Sequence, residues 1–218
     1  VTTSQHPLSL HVLPPKTSLF LSKRQQRLKE LSAKNKWTFD PSVVWSKSRF
    51  RKFMMFESRP IEFSKNRIKG VLGNSNVKWE ICDITFDEGA FLATEVHQTT
   101  AVLVLLQDID LPRFEIEKEG WLKRILDFAK REEISFDDEK FTDDFAVKGQ
   151  NPEKVKTFFT KEIIQYLSDN NRYHIEGNEN GLLVFQNYRF ASSAEVEELL
   201  QFTRGLVDKI TNSKQIIA

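Results

Sequence analysis

A run of six apolar residues, 101–106 (AVLVLL), limits what this chain can fold into more than any other feature. Successive residues of a strand point to opposite sides of a sheet, so a strand with one wet face alternates apolar and polar side chains. Residues 92–106 are rich in Thr, Val and Leu and end in a stretch without alternation, which reads as a strand buried on both faces. The run is far shorter than the ~20 residues a membrane-spanning helix needs.

Its neighbours follow from the same argument. In residues 77–86 (VKWEICDITF), Val77, Trp79 and Ile81 share one face before the apolar phase moves to Cys82, Ile84 and Phe86. A β-bulge or a two-sided strand produces that shift, and the sheet is expected to bend there. Gly73, Asn74, Ser75 and Asn76 are turn chemistry joining this strand to 68–72 as a hairpin, and Glu88, Gly89 and Ala90 make the next turn. Three antiparallel neighbours are the economical reading.

Beyond Pro112 the order becomes mixed. Residues 114–117 form a short strand, Gly120 a break, and 121–130 a helix with Leu122, Ile125, Leu126 and Ala129 on one face. A strand at 145–148 leads to a helix opened by Asn151 as N-cap and Pro152 as first residue, with Val155, Phe158, Phe159, Ile163, Tyr166 and Leu167 inward. Residues 173–176 and 182–186 flank a Gly-Asn-Glu-Asn-Gly hairpin signal, and Ser192-x-x-Glu195 has the spacing of a capping box. The last helix carries Val196, Leu199, Leu200, Thr203, Leu206, Val207 and Ile210 inward. Phe114-x-Ile116 and Phe145-x-Val147, each followed by Gly and a helix, read as convergent punctuation and not as a repeat. The expected fold class is α+β: a bent antiparallel sheet followed by β-α steps, a terminal β-hairpin and a C-terminal helix. Its domain spans 37–218, with a subdivision near 111–120 left open, and 18 Phe give it apolar area enough for a core without staples.

Residues 1–36 form a basic N-terminal segment, partly disordered and then helical. The first 59 residues hold 12 Lys and Arg against 3 Asp and Glu, whereas the other 159 hold 20 against 28, so a positive start of +9 faces a remainder of −8. The positive side chains fall in two clusters. Lys23, Arg24, Arg27, Lys29, Lys34 and Lys36 surround a narrow Leu21/Leu28/Leu31 stripe, and Arg49, Arg51 and Lys52 precede Phe53 and Phe56. Such clusters suit an anionic membrane surface or an acidic patch on another protein. Nucleic acid fits less well, because the acidic remainder repels a polyanion.

Chemistry is harder to find. Cys82 alone cannot form an internal disulfide and reads as a core thiol, and a reducing compartment suits the composition. Gly70-x-x-Gly73 lacks the Lys-Ser/Thr of a phosphate-binding loop. His6 and His11 sit in the leader, Glu95 and His97 share a strand face, and His174 reads as a surface residue beside a hairpin. Asp83, Asp87 and Glu88, and Asp108 with Asp110, read as turn and edge charges. Asp137, Asp138, Glu139 and Lys140 read as a solvated loop. No catalytic set, metal site or cofactor is expected, though a metal-assisted hydrolase using Asp108, Asp110 or His97 is the enzymatic alternative.

Residues 111–120 (LPRFEIEKEG) and 141–159 (FTDDFAVKGQNPEKVKTFF), taken with Gln98 to Thr100 and the hairpin, carry a resemblance. The chain resembles, over about 37–210, a bacterial family of unknown function with an LPxFxLxPE-like motif and a C-terminal β-α-β-β-α region. Members often place membrane segments ahead of a basic stretch like 23–36, which this chain lacks. The resemblance implies a non-enzymatic interaction module, cytoplasmic and associated with the inner face of the membrane, and carries over no catalytic residue.

Overall fold

The computed structural model describes residues 21–43, 49–57, 61–72, 77–87, 96–118 and 133–215. Their elements are α1 (Lys23–Lys34), β1 (Thr38–Ser42), a 3₁₀ turn (Arg49–Lys52), α2 (Met54–Glu57), β2 (Ile61–Val71), β3 (Lys78–Asp87), β4 (Val96–Leu105), β5 (Leu111–Lys118), α3 (Glu139–Asp144), β6 (Phe145–Gly149), α4 (Pro152–Phe158), α5 (Lys161–Asp169), β7 (His174–Glu179), β8 (Gly181–Phe185) and α6 (Ser193–Gln215). The expected turns at 73–76 and 88–90 and the helix at 121–130 lie outside the described residues. All eight strands join one antiparallel sheet in the order β1-β2-β3-β4-β8-β7-β5-β6, so the class is α+β with a C-terminal helix.

The apolar run occupies β4, which pairs with β3 on one side and β8 on the other. Its side chains split between two apolar layers. Val102 and Val104 pack with Leu28 and Leu31 of α1, Trp79, Ile81 and the inward residues of α4, α5 and α6. Ala101 and Leu103 pack with Phe50, Phe53, Phe56, Cys82 and Phe86. Helices therefore cover one face, and the short 3₁₀ turn and α2 cover part of the other.

The phase shift at Cys82 marks a two-sided strand. β3 pairs with β4 without interruption from Lys78↔Leu105 to Asp87↔Val96. An extra residue sits in β2 instead, where pairing steps from Lys65↔Asp83 to Ile68↔Ile81 and Asn66 adopts a φ of 57°. Asn tolerates that left-handed conformation better than most residues.

The β7–β8 hairpin lies inside the sheet, between β4 and β5. Its turn is Glu179-Asn180, with Glu179 at a φ of 53°, and Gly177 belongs to β7 itself. There Gly177 faces Phe114 of β5, and a Cβ would come within 2.7 Å of Phe114 Cδ1. The ring cannot retreat, because Phe158 and Phe159 stand against it at centroid distances of 5.4 and 5.0 Å. Gly177→Ala is accordingly expected to lower stability by about 1–3 kcal/mol through overpacking. Urea titration checks this, with a lower midpoint and an unchanged slope as the expected result.

Asn151 caps α4 as its sequence suggests: Oδ1 accepts the Lys154 N–H at 3.1 Å, and Pro152 opens the helix. The single helix expected through Leu167 is two helices. Phe159 leaves helical geometry (φ −80°, ψ 81°) and α5 begins after Thr160. In an unbroken helix adjacent residues diverge by about 100°. The break lets both Phe158 and Phe159 enter the core, where Phe159 also meets Phe136 and Phe141.

Candidate functional site

The two basic clusters lie on opposite faces of the sheet, since Leu28 packs with Ile81 while Phe50 packs with the next residue, Cys82. On and just after α1, Lys23, Arg27, Lys29, Lys34 and Lys36 are exposed, with Lys34 Nζ 3.5 Å from Glu197. Arg49, Arg51 and Lys52 are exposed on the 3₁₀ turn across the sheet.

Arg24 has a different environment from its neighbours. Its Nε donates to Asp83 Oδ2 at 2.7 Å, its Nη2 to Asp83 Oδ1 at 2.6 Å and Thr100 Oγ1 at 3.2 Å, and its Nη1 to the Ala191 carbonyl. Asp83 accepts two more bonds, from Asn66 Nδ2 at 2.7 Å and Thr100 Oγ1 at 2.6 Å. The reading of Asp83 as a turn charge is thus corrected. It sits in mid-strand with no side-chain exposure, on the face that α1 crosses, and the guanidinium makes that burial tolerable.

Beside the 3₁₀ turn, the face of β2, β3 and β4 opens into a groove of about 440 Å³. Strand register builds its floor in rows: Val71, Lys78 and Leu105 lie side by side, followed by Lys69, Glu80 and Leu103. Phe50 and Cys82 close the inner end, and Arg49 stands at the rim. Val71 is 52% exposed, an unusual state for a strand valine. Arg67, also at the groove, is tied to Asp40 at 2.7 Å, whereas Arg49, Lys69 and Lys78 have no ion-pair partner among the described residues. The groove therefore offers three cations and one carboxylate, Glu80, around the aliphatic side chains of Val71, Leu103 and Leu105.

Other sequence candidates do not converge. His97 begins β4 and packs against Phe86 and Tyr188 at centroid distances of 5.7 and 5.5 Å. Asp108 and Asp110 follow the other end of that strand, roughly 30 Å away at about 3.3 Å per residue. Asp138 caps α3, its Oδ1 accepting the Phe141 N–H at 2.9 Å. Cys82 is buried, and burial raises its thiol pKa well above the ordinary value, in keeping with a core residue. His6, His11, Glu88 and Glu95 lie outside the described residues.

One cluster escaped the sequence reading, and it corrects the placement of His174 at the surface. Glu115 pairs with Glu176 across β5 and β7, which puts Glu115, Glu117, His174 and Glu176 on one sheet face. All four are at most 3% exposed. His174 Nε2 lies 3.0 Å from Glu176 Oε1 and 3.7 Å from Glu115 Oε1, and Nδ1 lies 3.4 Å from Glu117 Oε1. Glu176 Oε1 also accepts the Met55 N–H at 3.1 Å. Burial pushes the Glu115 carboxyl up to about 9, helped by the other two acids against the pull of His174. Burial opposes charge on His174, but the Glu117 and Glu176 carboxylates beside its two nitrogens and the charge of Glu115 outweigh it and raise the imidazole to about 10. Burial likewise opposes the Glu117 charge and is overcome by His174, leaving that carboxyl below its ordinary value. Two i, i+2 polar pairs alternating with Phe114, Ile116, Tyr173 and Ile175 were the available signal, and alternation alone assigns such pairs to solvent.

No family model matches this chain, and no curated protein does. Among solved structures, the crystal structure of the mycobacterial trehalose monomycolate transport factor A, TtfA, is similar, with a TM-score of 0.57 and 10% identity over 84% of this chain and 92% of that one. At that identity the likeness establishes a shared fold.

Proposed function

We propose that the chain is a non-enzymatic module that holds anionic lipid at the inner face of a bacterial membrane through the groove beside the 3₁₀ turn. The carrying observation is the pairing of Arg49, Lys69 and Lys78 with the aliphatic floor of Val71, Leu103 and Leu105. Cations near an anionic leaflet contribute about 1 kcal/mol each. The floor takes the apolar part that a phosphate or carboxylate alone would leave unmatched. Nucleic acid suits the same groove poorly, because the rings that line it, Phe50 and Trp79, are buried at 1% and 4% exposure and offer no open face for bases to stack on. No helix among the described residues is long and apolar enough to cross a membrane, so this reading has the described part meet lipid from the side. The similar fold of a protein named as a trehalose monomycolate transport factor is compatible with a membrane-related role, and the resemblance to membrane-anchored bacterial proteins points the same way.

Vesicle sedimentation tests this with phosphatidylcholine alone and with phosphatidylcholine mixed with phosphatidylglycerol. Salt-sensitive binding to the mixed vesicles is expected. Lys69→Glu with Lys78→Glu should weaken it by at least about 30-fold, two cations at about 1 kcal/mol each, while Lys23→Glu with Lys29→Glu on the opposite face changes it far less. Equal partitioning to both vesicle types defeats the reading, and salt-sensitive retention of single-stranded DNA in place of lipid would replace it with nucleic-acid binding.

A further inference from the structure

We propose that Glu115, Glu117 and the Nδ1 nitrogen of His174 bind one divalent transition-metal ion of the zinc class, with Glu176 orienting the imidazole. One donor atom from each of these three residues lies within 4.8 Å of the others. The Nδ1 to Glu117 Oε1 separation of 3.4 Å equals the spacing of two ligands about 2.1 Å from a tetrahedral ion. Hydrogen bonding divides the cluster in the same way. Glu115 Oε1 and Oε2, Glu117 Oε1, Glu176 Oε2 and His174 Nδ1 are buried without any hydrogen-bond partner, while the other ring nitrogen, Nε2, is bonded to Glu176 Oε1. Glu176 Oε1 is itself fixed by the Met55 N–H. Glu117 stands at Nδ1 and Glu115 lies beside the ring with Oε1 3.7 Å from Nε2, so Glu176 holds one nitrogen and leaves the other directed at an unbonded carboxylate, as a carboxylate does for a metal-bound histidine.

Charge points to the same ligand. Lys148 lies opposite Glu115 in β6 and is 7% exposed, so three carboxylates meet one ammonium. In the metal-free protein protons on the cluster offset the other two negative charges, and a dication can displace those protons and balance the same charges with the imidazole neutral. One imidazole with carboxylates suits zinc, iron or manganese better than calcium, whose sites are built of oxygen alone. Such an ion ties β5 to β7, which gives it a structural role distinct from the lipid groove on β2, β3 and β4.

The test uses the tag-free chain. Mass-spectrometric metal analysis after zinc loading and dialysis should find one equivalent per chain, and calorimetry on chelator-stripped protein should give one site. Glu176→Gln should weaken zinc about 10–100-fold, and Glu115→Gln at least as much. Asp108→Asn with Asp110→Asn should leave affinity unchanged. Sub-stoichiometric zinc in the wild type, wild-type affinity in Glu115→Gln, or loss of zinc in the Asp108/Asp110 variant overturns the proposal. Should the glutamine variants fail to fold, X-ray absorption of the zinc-loaded wild type decides: one imidazole among oxygen ligands supports the site, and an imidazole-free shell rejects it.

Discussion

Arg24→Ala is expected to destabilise the fold by about 3 kcal/mol, the lower end of what breaking a buried ion pair costs. The loss comes from Asp83 more than from the arginine. Asp83 has no side-chain exposure, whereas Arg24 keeps 26%, so removing the guanidinium strands a carboxylate that Asn66 and Thr100 cannot neutralise. Water reaching the vacated position softens the effect. Lys23→Ala and Lys29→Ala, one and five positions from Arg24 on the same helix, should each stay within about 0.5 kcal/mol of wild type, as exposed residues do. Replacing Arg24 and Asp83 together by leucine should cost less than Arg24→Ala alone, because no charge is then left buried. Denaturant midpoints separate these outcomes, and an Arg24→Ala midpoint no lower than that of Lys23→Ala contradicts the account.

The second large effect is on pH. In metal-free protein, stability should be greatest near pH 5–6 and fall as pH rises towards 10, on the order of 1–3 kcal/mol per pH unit around pH 7–9. His174 is raised from 6.5 to about 10, so its contribution is full below 6.5 and is lost as pH climbs through the higher value. Glu115 is raised from 4.5 to about 9, so between those values the folded chain holds a proton that the unfolded chain has released. Both make the native state the more protonated one, and stability declines with pH wherever that holds. Glu117 acts in the opposite sense: its lowered carboxyl contributes above 4.5 and ceases to contribute as pH drops through the depressed value. Glu176 and Lys148 face the same cluster and complete its charge. Thermal melts at about pH 5.5, 7 and 8.5 in a chelator measure the slope, and a midpoint that rises over this range excludes a cluster that holds protons.

How much of this was legible depended on whether the deciding partner was close in sequence. β4 could be read because AVLVLL demands cover on both faces whatever supplies it. The starts of α4 and α6 could be read because Asn151 reaches Lys154, and Ser192 and Glu195 reach each other, within one turn. Asp83 could not, since nothing near it announces Arg24 in α1, and the basic composition of that helix suggested a wholly solvated surface. The Glu115, Glu117, His174 and Glu176 cluster needs the β5 and β7 pairing before its members meet. Local alternation identifies which residues share a face of one strand; it carries no information on which strand lies alongside. The groove was half legible: Arg49 was singled out, but Lys69 and Lys78 belong with it only through the β2, β3 and β4 register.

The placement of β7 and β8 between β4 and β5 sets an order of events during synthesis. β1 to β4 can assemble as soon as they leave the ribosome, but the far side of β4 must wait for residues 181–185, some eighty positions later. Until then the nascent chain displays an unpaired apolar strand, a template for pairing with a neighbouring copy. Closure by a late hairpin makes this a slow-folding topology, one whose yield in a crowded cell depends on how long that edge is left waiting.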